Sequence, residues 1–409
     1  MRYDLLVDTR YEVAIVGGGL VGLATAHRLL ERRPGLGLAV IEKEPEVALH
    51  QSGRNSGVIH AGLYYAPGSR KARLCREGKV ELERFCEEHA IPFERCGKLV
   101  VATSAEELPR LDALEERGRA NGLRGLERLG RAGIRDVEPH ATGLSALRVP
   151  ETGIVDFRLV ATALAERVRA AGGDLLLSRR VDAIALRDGW RVLGTAEGAI
   201  RSRWVVACAG LRSDRVAAMT GRAGSEAIVP FRGDYCVLRP EARHLVRGLI
   251  YPVPDPSFPF LGVHLTRRID GEVWAGPNAV LAFAREGYRR WEVDLRDLAA
   301  TLGHPGFRRL ARRHWRAGLR ELWRDLSRRA FAEACRRYVP ELRARHLAWG
   351  PAGIRAQAVD AEGTLVDDFS FAEAERVLHV RNAPSPAATS CLAIGSELAA
   401  MALARLDAG

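Results

Sequence analysis

Residues 11–42 read YEVAIVGGGLVGLATAHRLLERRPGLGLAVIE. Val13 to Val16 form an unbroken apolar run, as a parallel strand does when both its faces are covered, and a glycine cluster follows at once. Gly17, Gly19 and Gly22 fit the spacing G-x-G-x-x-G. Leu23, Ala26 and Leu30 then recur at helical intervals, which predicts a helix from about Leu20 to Arg32, broken by Gly35 and Gly37. A second strand is expected over 38–41, and Glu42 stands at its end, 25 positions after Gly17. In a dinucleotide site the first glycine makes the tight turn, the second lets the backbone approach a pyrophosphate, and the third permits close helix-to-strand packing. The helix N-terminus offers amide donors to phosphate, and a carboxylate after the second strand accepts hydrogen bonds from a ribose. Lys43 beside it is a further candidate contact. An acid at that place speaks against a 2′-phosphate, and so against NADP; FAD and NAD both remain open.

Three other stretches extend this reading. Residues 158–184, RLVATALAERVRAAGGDLLLSRRVDAI, predict a helix, a turn and a strand, with Val181 at the cofactor side. WVVACAG, residues 204–210, runs a β-branched strand into small residues, so Ala209 and Gly210 can pass close to a bound group. Residues 382–406, NAPSPAATSCLAIGSELAAMALARL, predict a proline-punctuated loop holding Ser385 and Pro386, then an apolar helix from about Ala388.

The remaining composition narrows the classes. With 409 residues, 47% of them hydrophobic and 28% charged, the chain can bury a large core, and its length suggests two domains or one elaborated fold. Nowhere do 18 apolar residues run unbroken and MRYDLLVDTR (1–10) lacks the apolar core of a signal peptide, so a cytoplasmic protein is expected. Seven cysteines without a CxxC pair argue against a disulfide framework and against a metal site. A net charge of +11 raises nucleic acid as a partner. Yet only four of the 62 basic residues are lysines (43, 71, 79 and 98), a bias that points to GC-rich coding, and no nucleic acid is expected. Between Phe307 and His346 stand 13 arginines against four acids. Leu319, Leu322, Trp323, Leu326 and Ala330 make an apolar stripe there, with Arg320, Arg324 and Arg328 on another side. The expectation is that the stripe packs on the protein while the arginines of 307–346 make peripheral contact with the inner face of the cell membrane.

The glycine motif, ACAG and the Pro/Ser/Ala loop together resemble the FAD-dependent oxidoreductases of the D-amino-acid oxidase and glycerol-3-phosphate dehydrogenase type. HQSGRNSGVIHAGLYYAPGSRKARLC (50–75), CGKLVVA (96–102), YPVPDPSFPFLGVHLTRRIDGEVWAGPNAV (251–280), GPAGIRAQAVDAEGTLVDDF (350–369) and NAPSPAATSCLAIG (382–395) resemble the branch acting on L-2-hydroxyglutarate. The resemblance implies an α/β fold. A discontinuous Rossmann-like FAD-binding domain (1–85, 146–220 and 350–409) is joined to an α+β substrate domain built on a mixed sheet (86–145 and 221–349). It implies oxidation of L-2-hydroxyglutarate to 2-oxoglutarate by hydride transfer to flavin N5, with electrons passed to a quinone or oxygen. Ser52, Asn55 and Ser56 are then expected against the pyrophosphate or ring edge, and His60 beside the isoalloxazine. His60 and His264 are the candidate bases, with His264 favoured. Arg355 is the carboxylate anchor, with Tyr64 and Tyr251 as hydroxyl donors, and Gly353 permits close approach to the flavin. The alternatives are another 2-hydroxy acid, an amino acid or glycerol 3-phosphate as substrate, and, outside the family, an NAD-linked dehydrogenase.

Overall fold

The computed structural model describes residues 9–222, 224, 226–255 and 261–408; residues 256–260 of the 251–280 stretch lie outside it. Strand β1 (Arg10–Val16) has β2 (Leu38–Ile41) on one side and the strand Gly198–Ala207 on the other, all parallel. Val16 is level with both Ile41 and Ala207, so the three strands end together. Asp174–Leu176 adds beyond β2 and Val377–Asn382 beyond Ala207, again in parallel. Helix α1 (Leu20–Arg32) follows the glycine turn over the expected residues. Such a sheet binds ligands in the crevice at the carboxyl ends of its strands, where Gly17, Glu42 and Cys208 meet.

α1 and the helices Arg70–Glu88, Phe157–Ala170 and Cys391–Asp407 share one core. Leu23, Leu29, Val160, Leu164, Ile394 and Leu398 are wholly buried in it. The last helix begins at Cys391, three residues beyond the expected start, because Ala387 and Ser390 donate to Pro384 and Pro386 carbonyls in a separate turn.

A second, nine-stranded mixed sheet carries the other domain. Its order runs Val280–Leu281, Ala227–Leu238, Val273–Gly276, His264–Arg267, Leu249–Pro252, Lys98–Ala102, Ser145–Val149 and Glu127–Gly130, with Leu347–Val359 paired along Ala227–Leu238. The α/β fold with a second domain on a mixed sheet is as the sequence implies. The expected crossings at 145/146 and 349/350 cut strands of this sheet, so we propose crossings after Val149 and after Val359.

The arginine-rich segment forms the helix Pro305–Leu326, kinked at His314, and the helix Arg328–Arg336. The expected packing of its apolar stripe is overturned. Leu319 is 57% exposed, Leu322 44%, Trp323 65% and Leu326 53%. The buried side carries Phe307 and Leu310 at one end and two carboxylates, Glu321 and Asp325, at the other. Glu321 accepts the Ala279 N–H at 3.2 Å, and Asp325 accepts from Arg232 at 2.8 Å and Asn278 at 3.1 Å. Buried charges must be paired, and their partners lie on one side of the helix only. That requirement turns the leucines and tryptophan outward.

Gly395 sits where the last helix crosses α1: a Cβ there would lie 2.6 Å from the Ala24 carbonyl carbon. Gly395→Ala is therefore expected to overpack the crossing and to lower stability by about 1–3 kcal/mol, seen as a lower urea midpoint at unchanged slope.

Candidate active site

The glycine turn is shaped by contacts that exclude side chains. Gly17 has φ +114°, and a Cβ on it would stand 2.4 Å from the Cys208 carbonyl oxygen. A Cβ on Gly22 would stand 2.0 Å from the Gly17 carbonyl oxygen, and one on Gly19 2.9 Å from Ser52 Oγ. Glu42 is buried; its Oε2 accepts the Gly18 N–H at 2.7 Å and its Oε1 the Glu44 N–H at 3.0 Å, so the carboxylate clasps the turn and keeps lone pairs for a ribose. Ser52 Oγ accepts the Leu20 N–H at 2.9 Å, which brings the 50–65 loop onto the first turn of α1. That turn holds no acidic side chain, as a phosphate site requires. Gly210 (φ +49°) lies against Gln51, and Ala209 makes the bend after Cys208. These features fit an adenine dinucleotide laid across the strand ends.

The other expected cofactor contacts also have partners within the protein. Lys43 pairs with Glu44 and, at 3.1 Å, with Glu286. Val181 is buried with Ile41 and Ala207. Asn55 is used by its own loop, donating to the Gln51 and Ser52 carbonyls and accepting the Gly57 N–H at 2.9 Å. Ser56 is reached by the Tyr235 hydroxyl. Gly353 makes a close approach, but to Arg54: a Cβ would lie 2.3 Å from the Arg54 carbonyl oxygen. The glycine thus lets the 50–65 loop lie on the second sheet.

That loop delivers His60 to the junction of both domains. Its N–H donates to Thr389 Oγ1 at 3.0 Å, its carbonyl accepts from Cys75 at 3.4 Å, and Ser385 Oγ lies 3.4 Å from Nε2. Pro386 accepts the Ser390 N–H, fixing the C-terminal loop beside it. His60, Tyr64 and Arg355 are half-buried, with surroundings dense enough to desolvate their polar groups, and we read them as lining a recess. The Tyr64 hydroxyl itself is buried, without a hydrogen-bond partner among the described residues.

The recess is set by desolvation. Burial lowers His60 and His264 to about 3, with Lys98 among the nearby charges acting on both, so both imidazoles are neutral. The Gly262 carbonyl, 2.9 Å from His264 Nδ1, can only accept; the proton therefore sits on Nδ1 and Nε2 carries a lone pair. The His264 ring packs on Tyr251, centroids 4.0 Å apart. Arg355 is near enough for its charge to act on His264, and it donates to the Asn278 carbonyl at 3.5 Å. Arg267, on the same strand as His264, pairs with Glu94.

One residue was missed. Lys98 is 3% exposed, and its Nζ lies 4.3 Å from the Tyr64 ring centroid and 5.0 Å from that of Tyr251. Burial lowers it to about 7. Its signal in the sequence was its rarity: where nearly every cation is arginine, an ammonium opening the apolar run KLVVA stands apart. Among the described residues Glu44, His50 and Glu286 form a group of metal-ligand type, but the Lys43 ammonium already lies among them.

A family model described as FAD dependent oxidoreductase matches residues 12–401. The chain is 49% identical to a protein of Nematostella vectensis named L-2-hydroxyglutarate dehydrogenase, mitochondrial, over 97% of this chain and 91% of that one. It is 48% identical to the L-2-hydroxyglutarate dehydrogenase of Indibacter alkaliphilus, over 97% and 99%. In fold it is similar to an L-alpha-glycerophosphate oxidase from Mycoplasma pneumoniae solved with FAD bound, at TM-score 0.79 and 22% identity, covering 97% and 95%. FAD is the cofactor of this chain, which belongs to the FAD dependent oxidoreductase family as an FAD-dependent enzyme.

Proposed function

We propose that the enzyme oxidises L-2-hydroxyglutarate to 2-oxoglutarate. The observation that carries the reading is a buried recess holding a guanidinium and a neutral imidazole whose Nε2 is an acceptor, in a chain whose full-length relatives bear the name of that substrate. FAD, when bound, would supply the two-electron oxidant for the substrate Cα–H bond. His264 Nε2 takes the hydroxyl proton, while its Nδ1–H to the Gly262 carbonyl holds the ring in the required tautomer. Arg355 pairs with a substrate carboxylate, its fork fixing orientation as well as charge. His60, held by Thr389 and Ser385, is proposed at the flavin side of the recess, and Tyr251 supports the His264 ring. Electrons leave to a quinone or to oxygen. Closure of the recess keeps water from the developing carbonyl.

We further propose peripheral contact with the inner face of the cell membrane. No helix among the described residues is long and apolar enough to cross a bilayer. However, Trp315, Leu319, Leu322, Trp323 and Leu326 are exposed together along Pro305–Leu326, among arginines. Apolar side chains flanked by cations suit the interface of an anionic bilayer.

Anaerobic addition of L-2-hydroxyglutarate is expected to bleach the visible flavin bands, and the D-enantiomer to leave them. Bleaching by lactate or glycerol 3-phosphate instead would refute the substrate. His264→Ala should lose roughly 10²–10⁴-fold in kcat with flavin content retained. In the wild type kcat/KM should not fall from pH 7.5 to 5.5. A histidine held near 3 stays deprotonated there, whereas an ordinary one near pKa 6.5 would cost about tenfold. Finally, the protein should sediment with vesicles containing anionic phospholipid and be released by salt, and Leu322→Ser with Trp323→Ser should abolish sedimentation while soluble-dye turnover persists.

A further inference from the structure

The four lysines divide three to one. Lys43 pairs with Glu44 and Glu286, Lys71 with Asp367 at 2.8 Å, and Lys79 with Glu83 at 2.8 Å. Lys98 has no carboxylate within ion-pair distance among the described residues, although it is the most deeply buried of the four. Its neighbours are instead the faces of Tyr64 and Tyr251. A desolvated ammonium without a counterion is costly, and two aromatic faces offset only part of that cost.

The sheet says where the missing anion belongs. Lys98 opens the strand Lys98–Ala102, which pairs with Leu249–Pro252 carrying Tyr251; the next strand carries His264. Beyond it come Val273–Gly276, Ala227–Leu238 and then Leu347–Val359 carrying Arg355. His264 therefore stands between the two cations in the strand order, and the charges of both act on it. A ligand whose hydroxyl meets His264 and whose first carboxylate meets Arg355 would send the rest of its chain toward Lys98.

We infer that Lys98 binds the second carboxylate of the substrate, the one remote from the reacting carbon, and thereby makes the site select dicarboxylates. This rests on the substrate reading above. Two cations, one on either side of the base in strand order and both acting on it, offer one partner to each carboxylate of a diacid, and the ligand then supplies the counterion that the fold withholds. The tyrosine rings on either side keep water from the pair, which strengthens it.

The test uses the FAD-loaded protein and perturbation of its visible bands, with 2-oxoglutarate and 2-oxopentanoate as ligands of equal chain length differing in the terminal carboxylate. The wild type should bind 2-oxoglutarate more tightly. Lys98→Met should weaken 2-oxoglutarate by about 100-fold and leave 2-oxopentanoate within about threefold, so the preference disappears. Lys98→Arg should keep part of it. Should Lys98→Met lose its flavin, Lys98→Gln takes its place in the same titration. A preference that survives either neutral variant, or equal weakening of both ligands, overturns the inference while leaving the substrate reading intact. A wild type that binds the two equally overturns the substrate reading, and Lys98 with it.

Discussion

The carbonyl oxygen of Cys208 occupies the space that any side chain at position 17 would need. This single exclusion binds the end of Gly198–Ala207 to the end of β1. Because α1 springs from the same turn, it also fixes where amide donors point. Glu42 then closes the turn from the other side through the Gly18 N–H, and Ser52 brings in the 50–65 loop through the Leu20 N–H. Three segments distant in sequence thus converge on four residues of backbone. Everything that the loop carries, His60 included, takes its position from that convergence.

The chemistry of the recess follows from keeping water out of it. In water a histidine is half charged near pH 6.5 and a lysine fully charged; here burial makes both imidazoles neutral and weakens the hold of Lys98 on its proton. A neutral imidazole with a fixed tautomer can receive a proton, which a protonated one cannot. Low dielectric also strengthens the attraction between the cations and an arriving anion. The same arrangement is unfavourable in the free protein, since buried positive charge without a counterion opposes folding. The large interdigitated cores on either side, with Leu99, Ile250 and Phe331 in one and Leu23, Leu164 and Leu398 in the other, offset it.

The first βαβ unit was legible because its constraints are local: a strand period, a glycine spacing and a helix period each leave a mark within a few residues. The gathering of His60, His264 and Arg355 was legible only through resemblance, since they come from a loop and two strands far apart in the chain. Asn55 and Gly353 illustrate the limit. Residue type and position suggested a cofactor contact but could not show that Asn55 serves the turns of its loop or that Gly353 makes room for the Arg54 carbonyl. The helix Pro305–Leu326 illustrates a deeper one. Periodicity identifies an apolar stripe but not which face is buried, and here buried ion pairing outweighed the hydrophobic pattern.

That inversion ties surface to site. Asp325 accepts from Asn278 Nδ2, and the Asn278 carbonyl accepts from Arg355, the proposed carboxylate anchor. Asn278 Oδ1 accepts the Asp234 N–H at 2.7 Å, and Arg232 bridges Asp234 and Asp325 on the strand paired with that of Arg355. The charge of Glu321, on the same helix face, acts on Arg355 as well. The helix therefore presents leucines and tryptophans outward because its carboxylates are committed inward, and those carboxylates belong to the network that positions Arg355. A helix held by hydrophobic packing could slide by a fraction of a turn at little cost. One held by several buried, directional hydrogen bonds cannot, since each displaced partner would remain desolvated and unpaired. The exposed apolar face and the network beneath the proposed substrate anchor are thus two sides of one rigid element.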